Sequence, residues 1–431
     1  MAESLLCNPF CSPEIIKYLE QCRVMEIAED VVEYEGFSGT NFFLEPPTGN
    51  IFFLRDGEML LMMDSGHHPY LRPKLLDILK KFRKEGAKEL VLTMSHGHWD
   101  HGKNNDVIYE AGYNKVRFIL PENELATLNI PEHMTGSYAM ARKYYDPCIT
   151  WQTGLPMLLE WFKSVPEFND PKYRDTWEKI SSLPKEYNND KLFEAFDSLM
   201  RNVLCPDITS YCIDKVEPLR LKDRVRRKFG DTMLWGWPIG RFFLIHDASQ
   251  SPGHISIYDP KNKLMITGDA TLEINPPFID VDFGNCIQII QQCLDMAKNG
   301  YINIATDCHR TSQWWTRNLK NAGVEPMGPL ELVDMARGQQ DCVDFYRMWL
   351  DAFGAWWDGV IKAHAALGEA TVSEIIAEMS KSTNKYVKLK LAIGMPRLPS
   401  SADMLVAKVL METGAKRHVK GGQITFTPAV K

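Results

Sequence analysis

The sequence predicts an α/β protein with a mostly helical insertion and a helical, winged-helix-like C-terminal unit. Three observations carry that prediction. Short apolar runs of strand length end repeatedly on Asp, Gly or His. One such run is followed by a segment of helical apolar spacing and then by another strand, the order of a parallel α/β unit. Two stretches, residues 122–215 and the last hundred or so, lack strand alternation and carry helical spacing instead.

Asn50–Leu54 and Glu58–Asp64 flank the turn signal Asp56-Gly57, the pattern of a hairpin. Ser65-Gly66 breaks the second strand. Over Arg72–Glu85, Leu75, Leu76, Ile78, Leu79 and Phe82 recur at helical spacing, and Gly86 ends the helix. Glu89–Met94 reads as a short buried strand and runs directly into Ser95-His96-Gly97-His98-Trp99-Asp100-His101. Val116–Leu120 is another strand, stopped by Pro121. Residues 121–215 are rich in aromatic residues and Met, with Trp151, Trp161, Phe193 and Phe196 among them, and read as an inserted helical segment.

Strand signals return at Phe242–Ile245, Ile255–Tyr258 and Lys263–Thr267, the last leading into Gly268-Asp269. A helix is expected over Cys286–Asn299 and a strand over Ile302–Thr306, ending at Asp307-Cys308-His309. Gln339–Leu367 reads as one long helix. Thr371-Val372-Ser373-Glu374 is a capping box opening a second helix, and Ser401–Thr413 forms a third, closed by Gly414. Lys416–Pro428 reads as a hairpin around Gly421-Gly422, so three helices and a hairpin form a separate winged-helix-like unit. The expected divisions are 1–120 and 216–328 for two halves of a core, 121–215 for the insertion and 329–431 for the C-terminal unit.

Composition narrows the function classes. The chain is 45% hydrophobic, enough for a large core, and its net charge of −7 disfavours a broad nucleic-acid surface. No run of about 18 apolar residues occurs, so no membrane span is expected. Met1-Ala2-Glu3-Ser4 lacks a basic start, so no secretory signal is expected. The ten cysteines contain no Cys-x-x-Cys pair and read as reduced thiols of a cytoplasmic protein.

The chemistry sits in the run after Met94. Spacing of two puts His96 and His98 on one side of an extended segment, and Asp100-His101 turns back toward them. Imidazole with carboxylate suits zinc, and also iron or manganese. Four candidate ligands within six residues point to two neighbouring ions. Three more fragments place polar residues at strand ends: Ser251-Pro252-Gly253-His254, Thr267-Gly268-Asp269 and Asp307-Cys308-His309.

This set resembles the metallo-β-lactamase superfamily, whose signature is His-x-His-x-Asp-His followed by separated His, Asp and His. The resemblance covers roughly residues 25–120 and 215–312, with Asp64-Ser65-Gly66 similar to the family's Asp-Thr/Ser-Gly turn. It implies an αββα sandwich. It also implies His96, His98 and His254 on a first metal, Asp100, His101 and His309 on a second, and Asp269 bridging them. Asp100 and Asp269 would then be catalytic as well as ligands. All seven positions are filled, as in glyoxalase II, lactonases and related esterases. The implied activity is hydrolysis of an ester, thioester or lactone by a metal-bridging hydroxide, with two divalent ions, zinc foremost. Glu would replace the second His in the flavodiiron branch, and Cys would stand at 269 in many β-lactam-hydrolysing members, so both fit less well. Ala270-Thr271-Leu272-Glu273 lacks the Tyr common after the bridging Asp in lactonases, which tells against homoserine lactones.

Two further classes stay open: an iron-dependent redox enzyme on the same ligands, and a nuclease, which the acidic balance disfavours. The substrate is expected to be a small molecule with a bulky apolar part, such as an acyl thioester. His67, His68, Trp99 and Trp151 are its candidate contacts, and the aromatic insertion serves as a lid, a core or a homodimer interface. The basic run Arg220–Lys228 reads as a solvated hairpin or a contact for an anionic thioester.

Overall fold

The computed structural model describes residues 20, 22–36, 48–67, 70–129, 132–133, 135–136, 140, 143–144, 171–183, 189–204, 209–271, 281–309, 335–394 and 401–429. His68, Trp151 and Trp161, the residues after Thr271 that bear on the lactonase comparison, and Cys7, Cys11 and Cys205 lie outside them.

Two seven-stranded sheets pack face to face. The first runs β1 (Val24–Ala28), β2 (Val31–Tyr34), β3 (Ile51–Asp56), β4 (Met59–Met63), β5 (Glu89–Thr93), β6 (Lys115–Pro121) and β7 (Val216–Leu219). Its first four strands pair antiparallel and its last four parallel. The second runs β8 (Val225–Phe229), β9 (Thr232–Ile239), β10 (Phe242–His246), β11 (Ile255–Asp259), β12 (Leu264–Ile266), β13 (Ile304–Thr306) and β14 (Met335–Arg337). Here β12 and β13 pair parallel and the other pairs are antiparallel.

Period-two alternation divides each strand between two layers. Phe52, Leu54, Leu61 and Met63 join Phe242, Leu244, Ile255 and Ile257 between the sheets. Phe53, Leu60 and Met62 face the other way, onto Leu75 and Leu79 of helix α1 (Leu71–Lys84). On the far side, Phe243, Ile245 and Met265 meet Ile289, Ile290 and Cys293 of α5 (Phe283–Lys298). The layers are therefore α, β, β, α, as the sequence leads one to expect. The short helix α2 (Val107–Glu110) follows the histidine loop. Between β6 and β7 lie α3 (Arg174–Ser182) and α4 (Asn189–Leu199) of the insertion.

The C-terminal region comprises α6 (Gln339–Leu367), α7 (Val372–Met379), α8 (Lys385–Gly394), α9 (Ser401–Glu412) and the hairpin of β15 (Lys416–Lys420) and β16 (Gln423–Thr427). The Thr371–Glu374 capping box is formed. Four helices precede the hairpin where the sequence pattern predicts three. In α8 charged and apolar residues nearly alternate, Lys385, Lys388 and Lys390 among them, which hides the helical stripe; Lys390 is buried with Nζ 5.2 Å from the centre of the Trp356 ring. Nor is the tail a separate unit. Phe345, Trp349, Phe353 and Trp356 make α6 apolar enough to join one continuous core with α5 and the insertion helices. The second sheet also passes the expected boundary at 328, because β14 is too short to be read as a strand but pairs with β13.

The tail grips α5 at its start. The N-cap Asp282 makes no side-chain cap bond, and the Glu412 carboxylate instead accepts from the backbone N–H groups of Phe283 and, at 2.9 Å, Gly284. Glu412→Ala is expected to cost about 1–2 kcal/mol, the usual value of a lost cap, seen as a lower denaturant midpoint. An unchanged midpoint would show that α5 needs no anchor from the tail.

Candidate metal centre

Strand register brings the polar fragments to one place. β4 and β5 pair parallel with Met63 beside Thr93, so Asp64 and Ser95 emerge side by side. β12 and β13 pair parallel with Ile266 beside Thr306, so Asp269 and His309 emerge together. β11 runs antiparallel to β12, so His254, just before its start, lies at the end of β12. Backbone bonds from Ile255 N–H to Ser95 O at 2.9 Å and from Asn50 N–H to Cys308 O at 2.6 Å tie the two sheets here.

All seven polar residues are buried there. The ring centres of His96 lie 4.3, 4.4 and 5.2 Å from those of His98, His101 and His254, and His101 lies 5.2 Å from His309. Asp269 Oδ2 is 3.6 Å from Nε2 of both His96 and His101, and Asp269 Oδ1 is 3.5 Å from His309 Nε2. Asp100 reaches His309 at 3.3 Å and His101 at 3.7 Å. Among the described residues three donor groups suited to a cation include His101; two of them face inward, His96, His101 and Asp269, and Asp100, His101 and His309, and neither of these includes His98 or His254.

Outer partners orient the rings. Asp64 Oδ2 accepts from His101 Nδ1 at 2.9 Å, and its oxygens also hold the Ser95 N–H and hydroxyl. That leaves His101 Nε2 facing the two carboxylates. Ser95 Oγ lies 3.1 Å from His96 Nδ1 and accepts its proton, since its own is given to Asp64. Asp247 accepts from His254 Nδ1 at 2.6 Å and is itself held by the Ser256 hydroxyl. Sequence reasoning misses Asp247, at the end of the apolar strand β10, although a carboxylate at a strand end is a readable signal. Glu124 and His133 carry no such signal.

The centre fits cations. Asp64, Asp100, Asp247 and Asp269 are buried, and among the described residues their ion-pair partners are all histidines. Buried carboxylates are costly without compensating positive charge. Among the described residues, His101 Nε2 and Asp269 Oδ1 make no hydrogen bond. Gly268 has φ +56°, and a Cβ there would lie 2.6 Å from His254 Nε2.

Titration behaviour follows. Burial holds His96 well below the ordinary imidazole value, helped by the charges of His98 and His101, and holds His98 down at about 4. Burial also acts on His101 and His309, but there the carboxylates win: Asp100, Asp64 and Asp269 hold His101 well above its usual range, and Asp269 and Asp100 raise His309 to about 9. Below these values both rings carry protons, which a cation at Nε2 must displace. Cation affinity is therefore expected to rise with pH through the range in which His309 titrates, about 9, with proton release on binding. Calorimetry in buffers of different ionisation enthalpy checks this; affinity flat across that range would contradict it.

Of the expected substrate contacts, His67 and Trp99 meet edge to face at 4.4 Å. Trp99 is only 2% exposed, and the Tyr211 hydroxyl donates to its carbonyl at 3.0 Å. The basic run is engaged locally: Arg220 pairs with Glu122 at 3.0 Å, and Arg224 Nη1 lies 2.7 Å from His246 Nδ1. Cys308 lies behind His101, grouped with Asp64 rather than with the inner donors, and burial pushes its thiol well up.

Residues 44–319 match the family model of the metallo-beta-lactamase superfamily. No curated protein matches the chain. Among solved structures, a beta-lactamase domain protein from Burkholderia ambifaria aligns over 94% of this chain and 93% of its own, at 13% identity and a TM-score of 0.51. A metallo-beta-lactamase family protein from Thermus thermophilus aligns over 94% of this chain and 100% of its own, at 14% identity and a TM-score of 0.47. A stereoselective inverting sec-alkylsulfatase from Pseudomonas sp. aligns over 91% of this chain at 12% identity and a TM-score of 0.47, and the match spans 50% of that protein. At such identities the likeness bears on the fold alone.

Proposed function

Since the chain belongs to the metallo-beta-lactamase superfamily, we propose that it is a dinuclear metal-dependent hydrolase that cleaves an ester, thioester or lactone of a bulky apolar substrate. The observation that carries the reading is the pair of buried inward donor groups meeting at His101, with inward atoms on His101 and Asp269 that make no hydrogen bond among the described residues. His96, His98 and His254 would hold one ion, Asp100, His101 and His309 the other, and Asp269 would lie between them. Bound there, zinc or a similar divalent ion supplies Lewis acidity and makes a water acidic enough to act near neutral pH.

The chain's own residues do the rest. Asp64 and Asp247 orient His101 and His254 by accepting hydrogen bonds from their Nδ1–H groups, which turns each Nε2 inward; that of His254 accepts from the Asp269 N–H at 3.2 Å. Asp100 and Asp269 are ionised before any cation binds: burial would raise them, but the charges of His101 and His309 hold both below the usual carboxylate range; a cation that displaced those histidine protons would keep them so by its own charge. An ionised Asp100 can accept a proton from the attacking water and pass it to the leaving oxygen or sulfur. Burial of the whole cluster keeps bulk water away and strengthens each of these interactions. The aromatic and Met-rich sequence of the insertion supports a substrate with an apolar part.

The experiment is a panel of thioesters, lactones, aryl and alkyl carboxylic esters and alkyl sulfates, offered to zinc-, manganese- and iron-loaded protein. Turnover of a carboxylic acyl substrate is the expected result. Turnover confined to sulfates, or none without oxygen, would replace this reading.

A further inference from the structure

Glu124 is fully buried on the short turn Glu122–Glu124 that follows β6, and it lies outside both inward donor groups at His101. Its carboxylate nevertheless holds both loops that carry the first ion's histidines. Oε1 accepts from the Gly97 N–H at 2.5 Å and from the Thr127 hydroxyl. Oε2 accepts from the Ser251 hydroxyl at 2.6 Å and from the Gly253 N–H at 2.8 Å. Gly97 stands between His96 and His98, and Gly253 immediately precedes His254.

The approach is too close for any side chain on either loop. A Cβ at Gly97 would lie 2.1 Å from Thr127 Oγ1, and one at Gly253 would lie 2.4 Å from Glu124 Cβ. The histidine loop grows from β5 in the first sheet and the His254 loop leads into β11 in the second. A single carboxylate thus fastens together two segments whose strands belong to different sheets.

We propose that Glu124 is a positioning residue for the first metal: by gripping Gly97 with one oxygen and Gly253 with the other, it sets the convergence of His96, His98 and His254. This rests on the dinuclear reading above. A carboxylate is the group suited to the task, because all four partners are donors and each oxygen has room for two. A glutamine amide would offer N–H groups to one of the two loops and so release it.

The test is cobalt(II) titration of metal-free wild-type, Glu124→Gln and Glu124→Asp protein, followed by visible absorption and competition with a chelator. Circular dichroism of the metal-free proteins establishes folding. Glu124→Gln should weaken the first cobalt roughly 10- to 100-fold, the usual effect of losing an outer partner, and alter its absorption band. Glu124→Asp, which keeps the charge, should recover part of both. Ser251→Ala removes one donor from the His254 loop alone and should weaken the first ion about fivefold, so the proposal stays testable if Glu124→Gln does not fold. Folded variants that bind the first cobalt with wild-type affinity and spectrum would overturn the proposal. Wild-type protein that binds no cobalt would instead overturn the metal-centre reading itself.

Discussion

Asp269→Ala is expected to leave one ion or none per chain and to reduce hydrolysis at least about a thousandfold, a loss of roughly 4 kcal/mol of transition-state stabilisation. Among the described residues, Asp269 is the one carboxylate within reach of three of the histidines, His96, His101 and His309. Its removal takes away the charge that the two cations would share and leaves His101 and His309 with Asp100 as their inner anion. The fold should survive, because the change lies at a strand end and Ala fits beside Gly268 and Ala270. Far-ultraviolet circular dichroism, metal analysis and turnover together read the result. Normal turnover with two bound ions would end the dinuclear account.

The second large effect is expected at Asp64. This residue is fully buried with φ +65°, a conformation that Asp and Asn tolerate better than Ala does. It accepts from the Ser95 N–H at 2.7 Å, from the Ser95 hydroxyl and from His101 Nδ1. Asp64→Ala strands these buried donors and strains the turn, and should cost about 3–5 kcal/mol of stability. Asp64→Asn separates the electrostatic role from the packing role. Its oxygen can still take the Ser95 N–H, while its amide would face His101 Nδ1 and favour the tautomer protonated at Nε2. The second ion should then bind about 10- to 100-fold more weakly in a folded protein. A folded Asp64→Asn variant with unchanged metal affinity would show that Asp64 is structural only.

The sequence makes the layers and the inner donors legible for a physical reason. A strand buried on both faces must be an apolar run, so a polar residue at its end is conspicuous, and His254, Asp269 and His309 all stand out in this way. Helix α6 is legible because its apolar spacing persists from Gln339 to Leu367. What stays hidden depends on long-range approach. Glu124 meets Gly253 across 129 residues of sequence, and Asp64 meets His101 across 37; neither pairing leaves a local pattern. The helix α8 is hidden because Lys390 is buried against Trp356, so the polar residue marks an inner face instead of an outer one. The union of the tail with α5 is hidden likewise, since a Trp on α6 reads the same whether its neighbour is in its own unit or another.

Metal analysis of the chain purified without added metal, joined to turnover of the acyl panel as zinc is restored, tests the central claim most directly. The account predicts two ions per chain, with hydrolysis appearing as the second site fills and no requirement for oxygen. Stoichiometric iron with oxygen-dependent turnover, or hydrolysis that persists after complete metal removal, would contradict it.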